Sequence, residues 1–203
     1  MPTGRLPHAF IRTRLALIAW ALAACAFGAA VFAPVSTAHA ADDYAPIAQL
    51  LRAGRADEAL AKADQYLVNR PRDPQMQFLR AQALSAAGRS VDAIAAYTQL
   101  TQEYPELPEP HNNLAVLYAS QNQLEPARAA LEAALRALPT YATAYENLGD
   151  IQLRLAVQSW TRARQLDPAL TTLAPKLAAA RSLIDLPAPP ARARMPASAP
   201  ARR

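Results

Sequence analysis

A histidine and two asparagines, His111, Asn112 and Asn113, stand side by side before an apolar run in the segment EPHNNLAVLYAS. An imidazole can act as a general acid or base near neutral pH. A side-chain amide can both donate and accept hydrogen bonds. The three residues could therefore form a catalytic or ligand-binding cluster, or they could simply begin a helix. The choice depends on whether the segment is unique in the chain.

Few other residues could support chemistry. The chain has one cysteine, Cys25, and three histidines, of which His8 and His39 lie before Ala41. A chain that begins at Ala41 would have His111 alone. This excludes a metal site built on two or three histidines and a Cys–His nucleophilic pair. We therefore predict no catalytic residue, no metal site and no cofactor.

The segment is not unique, because the sequence repeats with a period of about 34 residues. Asn113-Leu114 recurs one period later as Asn147-Leu148. Three further series share the same spacing: Gly54, Gly88 and Asn122; Ala59, Ala93 and Ala127; Pro71, Pro105 and Pro139. Turn-forming, small and helix-breaking residues in one register indicate a repeated unit of helix, tight turn and helix.

Each series predicts one feature of that unit. Glycine and asparagine tolerate the left-handed conformation that ends a first helix, so the Gly–Gly–Asn series predicts the turn within each repeat. The alanine series predicts the places where the two helices touch, since a larger side chain would separate them. The prolines cannot continue a helix, so they predict the end of each second helix.

These motifs resemble those of tetratricopeptide repeat proteins. The segments that carry the resemblance cover about residues 42–168 and are AGRADEALAKA, AGRSVDAIAAYTQLTQEYP, HNNLAVLYASQNQLEPARAALEAALRALP and YENLGDIQLRLAVQSWTRARQLDP. The resemblance implies an all-α superhelix of antiparallel helix pairs, with three full repeats and a shortened fourth. The order of HNNLAVLYA and YATAYENLGDI is further similar to exported repeat proteins of Gram-negative bacteria, a match that names no activity.

The expected organisation has three parts. A signal peptide occupies residues 1–40, the repeat domain 41–186 and a Pro/Ala/Arg tail 187–203. We place the repeats and a C-terminal capping helix at about residues 41–73, 74–107, 108–141, 142–168 and 170–186. A terminal helix is expected because a repeat array must cover its last apolar face.

The first two repeats depart from the pattern. Pro46 interrupts the first helix of the first repeat, which predicts that this helix is short or frayed. In the second repeat Arg80 stands where Leu114 and Leu148 stand later. Phe78 and Leu79 must then supply the apolar contact.

The fourth repeat departs further, because Pro168 follows Pro139 by less than one period and the turn glycine is missing. Either a tight turn forms near residues 153–156 or the helix continues through them. Gly149 falls within the first helix, where we expect it to permit close packing. Trp160 is expected to fill the resulting gap as a core residue.

The N-terminal segment has the features of an export signal. Three arginines near the N-terminus precede the apolar run 15–35. Pro34 breaks that run, and Ala38-His39-Ala40 supplies small residues at the places that a signal peptidase reads. We predict cleavage after Ala40 and a periplasmic chain.

Two alternatives to cleavage stay open. The run 15–35 is long enough to span a bilayer as an uncleaved inner-membrane anchor. Leu22-Ala23-Ala24-Cys25 resembles a bacterial lipobox, in which Cys25 would become the lipidated first residue of a lipoprotein.

The net charge of +5 does not indicate a nucleic-acid-binding face. Residues 42–168 hold 12 Lys/Arg and 15 Asp/Glu, which is a balance of −3. The excess positive charge lies at the two ends of the chain, so we predict no nucleic-acid partner. The tail has many prolines and no apolar periodicity, which is typical of a disordered segment. It could tether the protein weakly to a membrane surface or a polyanion.

The resemblance implies that first helices line a concave groove that binds peptides. Asn113 and Asn147 could hydrogen-bond a peptide backbone there, or each could cap or bridge neighbouring helices. The other candidates for this groove are Phe78, Gln82, Glu109, Asn112, Val116 and Glu146. We expect a protein-interaction scaffold that binds a peptide or a partner helix and aids assembly of an envelope complex. Self-association is a further possibility, and tethering through the tail or an N-terminal anchor is the alternative function.

His111 has a simpler explanation than catalysis. It begins the first helix of the third repeat, and Tyr145 occupies the equivalent place one period later. We expect both rings to pack against a neighbouring helix. The adjacent carboxylates Asp57-Glu58 are likewise typical of a solvated helix face.

Overall fold

The computed structural model describes residues 38–185, and it describes side-chain surroundings for residues 43–185. Within that range the chain forms eight helices and no strand, which confirms the all-α repeat fold. They are α1 (Ala38–Arg52), α2 (Ala56–Asn69), α3 (Pro74–Ala86), α4 (Ser90–Glu103), α5 (Pro108–Ser120), α6 (Leu124–Ala137), α7 (Ala142–Leu166) and α8 (Leu173–Ile184). The predictions for the leader before residue 38 and for the tail 187–203 concern residues outside this range.

From α2 onward, each helix packs against the next one along the chain. We call α1, α3, α5 and α7 the first helices and α2, α4 and α6 the second helices. Pro74 and Pro108 occupy the first position of α3 and α5, where the missing N–H would have no partner within the helix anyway. The Asp73 side chain caps α3, because its Oδ1 accepts a hydrogen bond of 3.0 Å from the Met76 backbone N–H.

The turns between first and second helices use a left-handed residue. Gly54 has φ 72°, Gly88 has φ 75°, and Asn122 is the one non-glycine residue of the described chain with positive φ, at 57°. At each turn the backbone N–H that follows this residue bonds a carbonyl in the last turn of the first helix; Arg89 N, for example, lies 2.9 Å from Leu84 O. These hydrogen bonds satisfy carbonyl groups in the last turn of the helix that have no partner within it.

The two helices of each pair meet at small residues. Ala59, Ala93 and Ala127 are each 0% exposed. The second helices α2, α4 and α6 end at Asn69, Glu103 and Ala137, shortly before the prolines of the repeated series. Residues before proline avoid the helical region, so these ends follow from the sequence.

The beginning of the array differs from the expectation of a short or frayed helix. The helix α1 runs for 15 residues with Pro46 inside it. Ile47, directly after the proline, is 3% exposed and packs in the core of the first pairs, which holds this segment against them. In α3, Leu79 is buried and Phe78 is partly buried. The Arg80 side chain turns outward, and its Nε lies 2.6 Å from Asp64 Oδ1.

The fourth repeat is one continuous helix. The helix α7 extends for 25 residues, so of the two sequence-level alternatives the helix continues rather than turns. A Cβ added at Gly149 would meet no atom within 4 Å, so the expected close packing at this glycine was wrong. Trp160 is partly exposed and not part of the core, and Lys176 Nζ of α8 lies 5.9 Å from its ring centroid. The helix α8 packs on α7 through Leu173, Leu177 and Ala180.

None of the helices in residues 38–185 combines the length and the apolar character that crossing a membrane requires. The apolar run 15–35, on which the anchor alternative depends, precedes these residues.

Candidate functional site

The first helices place equivalent side chains in rows. Phe78, Asn112 and Glu146 form one row at intervals of one period, and Gln82, Val116 and Asp150 form another. We call the surface formed by these two rows, together with Glu109, Asn113 and Asn147, the inner face. This definition takes in the groove residues that the sequence suggested, and it adds Asp150, which the sequence reasoning missed although it lies one period after Val116.

Three amides of this face and the buried phenol of Tyr97 form a continuous series of hydrogen bonds, which we call the amide chain. Asn147 Nδ2 donates to Asn112 Oδ1 at 2.8 Å, which joins α7 directly to α5. Asn112 Nδ2 points to Asn113 Oδ1 at a longer 3.4 Å. Asn113 Nδ2 then donates to the Tyr97 hydroxyl at 3.0 Å, which joins α5 to α4. The asparagines therefore bridge neighbouring helices.

Bridging does not use the whole capacity of these amides. Each amide offers two N–H groups and two oxygen lone pairs, and the amide chain engages only part of them. Asn112 is 5% exposed, so its contacts are almost entirely internal. Asn113 and Asn147 are partly exposed. These two retain hydrogen-bonding groups that a backbone laid along the inner face could use.

Tyr97 is the structural centre of the site, and sequence reasoning missed it. It lies on the second helix α4, is 1% exposed and contacts side chains of both flanking first helices. Phe78 of α3 packs edge-on against its ring, with the centroids 5.9 Å apart at 60°. Burial raises the pKa of the Tyr97 hydroxyl far above its ordinary value of 10, so the group stays a neutral hydroxyl. One signal existed, since Tyr97 is the polar member of the series Ala63, Tyr97 and Leu131.

The remaining side chains of the inner face combine apolar and acidic groups. Val116 is 49% exposed, so about half of its side chain is open to contact. Phe78 and Gln82 are partly exposed. Glu109 is partly exposed, and Glu146 and Asp150 are exposed. The face thus offers apolar contact, amide hydrogen bonds and negative charge to whatever it binds.

His111 has a structural role beside this face. Its Nε2 lies 3.3 Å from the Pro105 carbonyl, and one repeat earlier Gln77 Nε2 donates to the Pro71 carbonyl at 2.7 Å. Burial lowers the pKa of the imidazole, so the neutral ring with its proton on Nε2 suits this contact. Tyr145 at the next equivalent place is 55% exposed, so the expectation that its ring packs was wrong.

Asp73 is the centre of a second polar cluster, which joins the first repeat to the second. Its Oδ2 accepts hydrogen bonds from the hydroxyls of Tyr44 at 2.7 Å and Tyr66 at 2.9 Å, while Oδ1 caps α3. Burial, together with the bond to Asp73, raises the pKa of Tyr44 well above 10. Both tyrosines act as hydroxyl donors here, and the cluster fixes the loop between the repeats.

The described residues contain no group of three or more His, Cys, Asp or Glu side chains placed to hold a metal ion. An open cleft of about 520 Å³ lies between α4 and the loop before α3. It is lined by Pro71, Arg72, Gln77, Gln99, Glu103 and Tyr104. None of these belongs to the inner face, and they include no nucleophile paired with a base.

Comparison with known families also finds repeats in this chain. Two tetratricopeptide repeat models match the chain, one at residues 49–108 and one at residues 84–149. Both matches fall within residues 49–149, and this segment is similar to the tetratricopeptide repeat family. The matched segment contains the amide chain and most of the inner face. A search of curated proteins finds no match.

Solved structures of low sequence identity share the fold. The Naa15/Naa10 complex bound to HypK-THB aligns with a TM-score of 0.51 at 20% identity; the match covers 70% of this chain but only 22% of that one. The first repeat domain of Spaghetti (RPAP3) bound to the HSP90 peptide SRMEEVD has a TM-score of 0.53 at 19% identity, covering 58% of this chain and 93% of that one. The Yersinia enterocolitica type III secretion chaperone SycD, in complex with a peptide of the translocator YopD, has a TM-score of 0.52 at 16% identity, covering 60% and 98%.

Proposed function

We propose that this protein is a non-enzymatic interaction scaffold that holds a peptide segment or one partner helix against the inner face. The observation that carries the proposal is the inner face itself. Neighbouring repeats fix amides with unused hydrogen-bonding groups beside exposed apolar side chains, of which Val116 is 49% exposed. Such a surface can pair with a peptide backbone and accept its side chains, while it lacks an arranged acid, base and nucleophile.

The preorganisation of the face supports binding of a ligand. The amide chain and the Phe78–Tyr97 contact hold side chains from α3, α4, α5 and α7 in place before a partner arrives. A surface that is already ordered loses less conformational freedom on binding. Two structures with the same fold, those of Spaghetti and SycD, carry peptides, which is consistent with this use of the fold.

We further propose that the protein acts in the bacterial cell envelope after export and aids assembly of a complex there. The support for this location is the sequence pattern of three arginines, the apolar run 15–35 and Ala38-His39-Ala40. The mass of the mature chain tests it, because cleavage predicts a chain that begins at Ala41. A mature chain that keeps residues 15–35, or that begins at a lipidated Cys25, would replace the soluble periplasmic proposal by one of the two alternatives.

Site-specific photo-cross-linking in the native host tests the scaffold function. A photo-reactive residue replaces Val116 on the inner face, and in a matched control it replaces Val68, which is 79% exposed on the second helix α2. We expect a discrete adduct from position 116 and about tenfold less from position 68. Phe78→Ala should weaken the adduct at 116 if the unfolding temperature stays close to that of the parent chain.

Two results would contradict the proposal. Adducts of equal yield at positions 116 and 68 would place the interaction elsewhere than on the inner face. If the full chain gives adducts and a chain without residues 187–203 gives none, the protein acts through its tail, as the tethering alternative requires.

A further inference from the structure

The inner face changes character along the array. In the first row, Phe78, Asn112 and Glu146 follow each other at intervals of one period, so the row runs from an aromatic ring through an amide to a carboxylate. The second row, Gln82, Val116 and Asp150, ends in a carboxylate too. One end of the inner face is therefore aromatic and the other end is acidic.

The carboxylates of the inner face, Glu109 on α5 and Glu146 and Asp150 on α7, form no ion pair with a residue of the described chain. Arg154 lies one helical turn after Asp150, where it could pair with it. Its guanidinium instead donates to the Ala119 carbonyl and to Asn122 Oδ1, both at 3.2 Å. The negative charge of these carboxylates is therefore left for a partner.

The aromatic end offers a different contact. Phe78 is partly exposed, and Tyr97 packs edge-on behind its ring, which fixes the orientation of the ring. Val116, on the next first helix, extends the apolar surface towards the acidic end. This part of the inner face therefore suits an apolar side chain of a partner, at a fixed distance from the carboxylates.

We propose that the partner segment is amphipathic and basic: an aromatic or aliphatic side chain contacts Phe78 and Val116, and Lys or Arg side chains meet Glu109, Glu146 and Asp150. This inference rests on the proposed function and names the chemical class of its ligand. Complementary charge favours such a segment and disfavours an acidic one. Neighbouring helices lie about 8–10 Å apart, so the two ends are on the order of 20 Å apart, or about six residues of extended chain.

Binding of the full-length chain to synthetic peptides tests this class. The peptides carry a Phe or Leu anchor and, about six residues away, a block of three Lys, three Gln or three Glu. We expect the Lys block to bind about tenfold more tightly than the Gln block, and the Glu block more weakly still. The advantage of Lys should shrink as salt rises from about 0.05 to about 0.5 M in the assay buffer, since screening weakens exposed charge pairs.

A charge variant and a matched control locate the effect. Glu109→Gln/Glu146→Gln/Asp150→Asn should remove the preference for Lys, so that the Lys block and the Gln block bind this variant with the same affinity. Asp57→Asn/Glu103→Gln/Glu106→Gln changes the net charge by the same amount at three carboxylates outside the inner face that also form no ion pair. This control should keep the preference.

The outcomes separate the inference from the function on which it rests. If the Gln block binds and Phe78→Ala weakens it, but Lys gives no advantage, the basic class is wrong and the scaffold stands. If both triple variants lose the Lys preference equally, net charge explains it and the inference is overturned. If no peptide binds and position 116 gives no photo-adduct, the scaffold proposal fails as well.

Discussion

Residues at the same position of the repeat lie in opposite environments in the first three helix pairs and in the long helix α7. Ala81 and Ala115, on the first helices α3 and α5, are 0% and 1% exposed because a second helix covers them. Gly149 lies one period further on α7, and a Cβ there would meet only open space. A small residue at this position of the repeat is therefore not sufficient for a second helix to pack against it.

The difference arises at the turn. The earlier repeats have Gly54, Gly88 or Asn122 in the left-handed conformation, which ends the first helix. Ala156 stands one period after Asn122, within the sequence LRLA of good helix formers. Without a residue that accepts positive φ, and with a shorter stretch before Pro168, the chain has no place to turn. The helix continues to Leu166, and α8 packs back on it.

The largest expected effect is a difference in the free energy of unfolding between two leucine-to-alanine variants. One leucine lies in the helix pair α5–α6, and the other lies at the end of α7. Leu131→Ala should lower the free energy of unfolding by about 2–5 kcal/mol, because Leu131 is 0% exposed and its removal leaves a cavity. Leu166→Ala, at a residue 70% exposed, should change it by less than about 0.5 kcal/mol. Urea unfolding of the two variants measures both. Losses of similar size would mean that the end of α7 is buried in solution.

Glycine substitutions should give effects of opposite sign. Gly88→Ala forces a Cβ into positive φ and should destabilise by about 1–2 kcal/mol. Gly149→Ala should stabilise by about 0.5–1 kcal/mol, since the helix gains propensity and nothing lies within 4 Å. Thermal unfolding of both variants measures the difference. Gly88→Asn is the control, and it should cost less than Gly88→Ala because Asn122 adopts this conformation in the third repeat. Destabilisation by Gly149→Ala would show that another helix covers this face in solution.

The repeat architecture is accessible to sequence reasoning because each of its requirements is local. A turn needs a residue that accepts positive φ, a helix contact needs a small side chain, and a loop needs proline. These choices recur at a fixed interval and can be read without coordinates. The continuous α7 was foreseeable only as one of two alternatives, because the loss of the turn glycine and the shorter spacing to Pro168 permit either a tight turn or none.

The interior of the candidate site is not local, and this limits its prediction. Sequence spacing brings Asn113 and Asn147 to equivalent places, but it cannot show that Asn112 lies between them and bonds Asn147. Nor can it show that Tyr97, from a second helix, reaches Asn113 and Phe78 together. These contacts depend on side-chain directions across several helices. The identity of the partner depends on another molecule. The sequence of this chain therefore limits only the chemistry of the partners that the inner face can bind.

The smallest expected effect is a change in how stability depends on pH. It tests the difference between the contacts at the start of α3 and α5 and the exposed start of α7. Gln77 and His111 both contact the carbonyl of the preceding loop proline, whereas Tyr145 of α7 is exposed. Burial lowers the pKa of His111 below its ordinary 6.5, so the unfolded chain binds more protons than the folded one in this window. The contribution of neutral His111 is therefore complete above about pH 6.5 and is lost as pH falls through the folded pKa.

His111→Gln should remove this dependence, because Gln77 shows that a glutamine fits the same place and donates to the same kind of carbonyl at 2.7 Å. We expect the parent chain to lose more stability than the variant between pH 7 and pH 5, by a few tenths of a kcal/mol for so accessible a ring. Unfolding midpoints of both chains across this range isolate the histidine, since every carboxylate titrates in both. Parallel profiles would mean that His111 stays as accessible as it is in the unfolded chain. The start of α5 would then resemble the exposed start of α7 rather than the closed helix pairs before it.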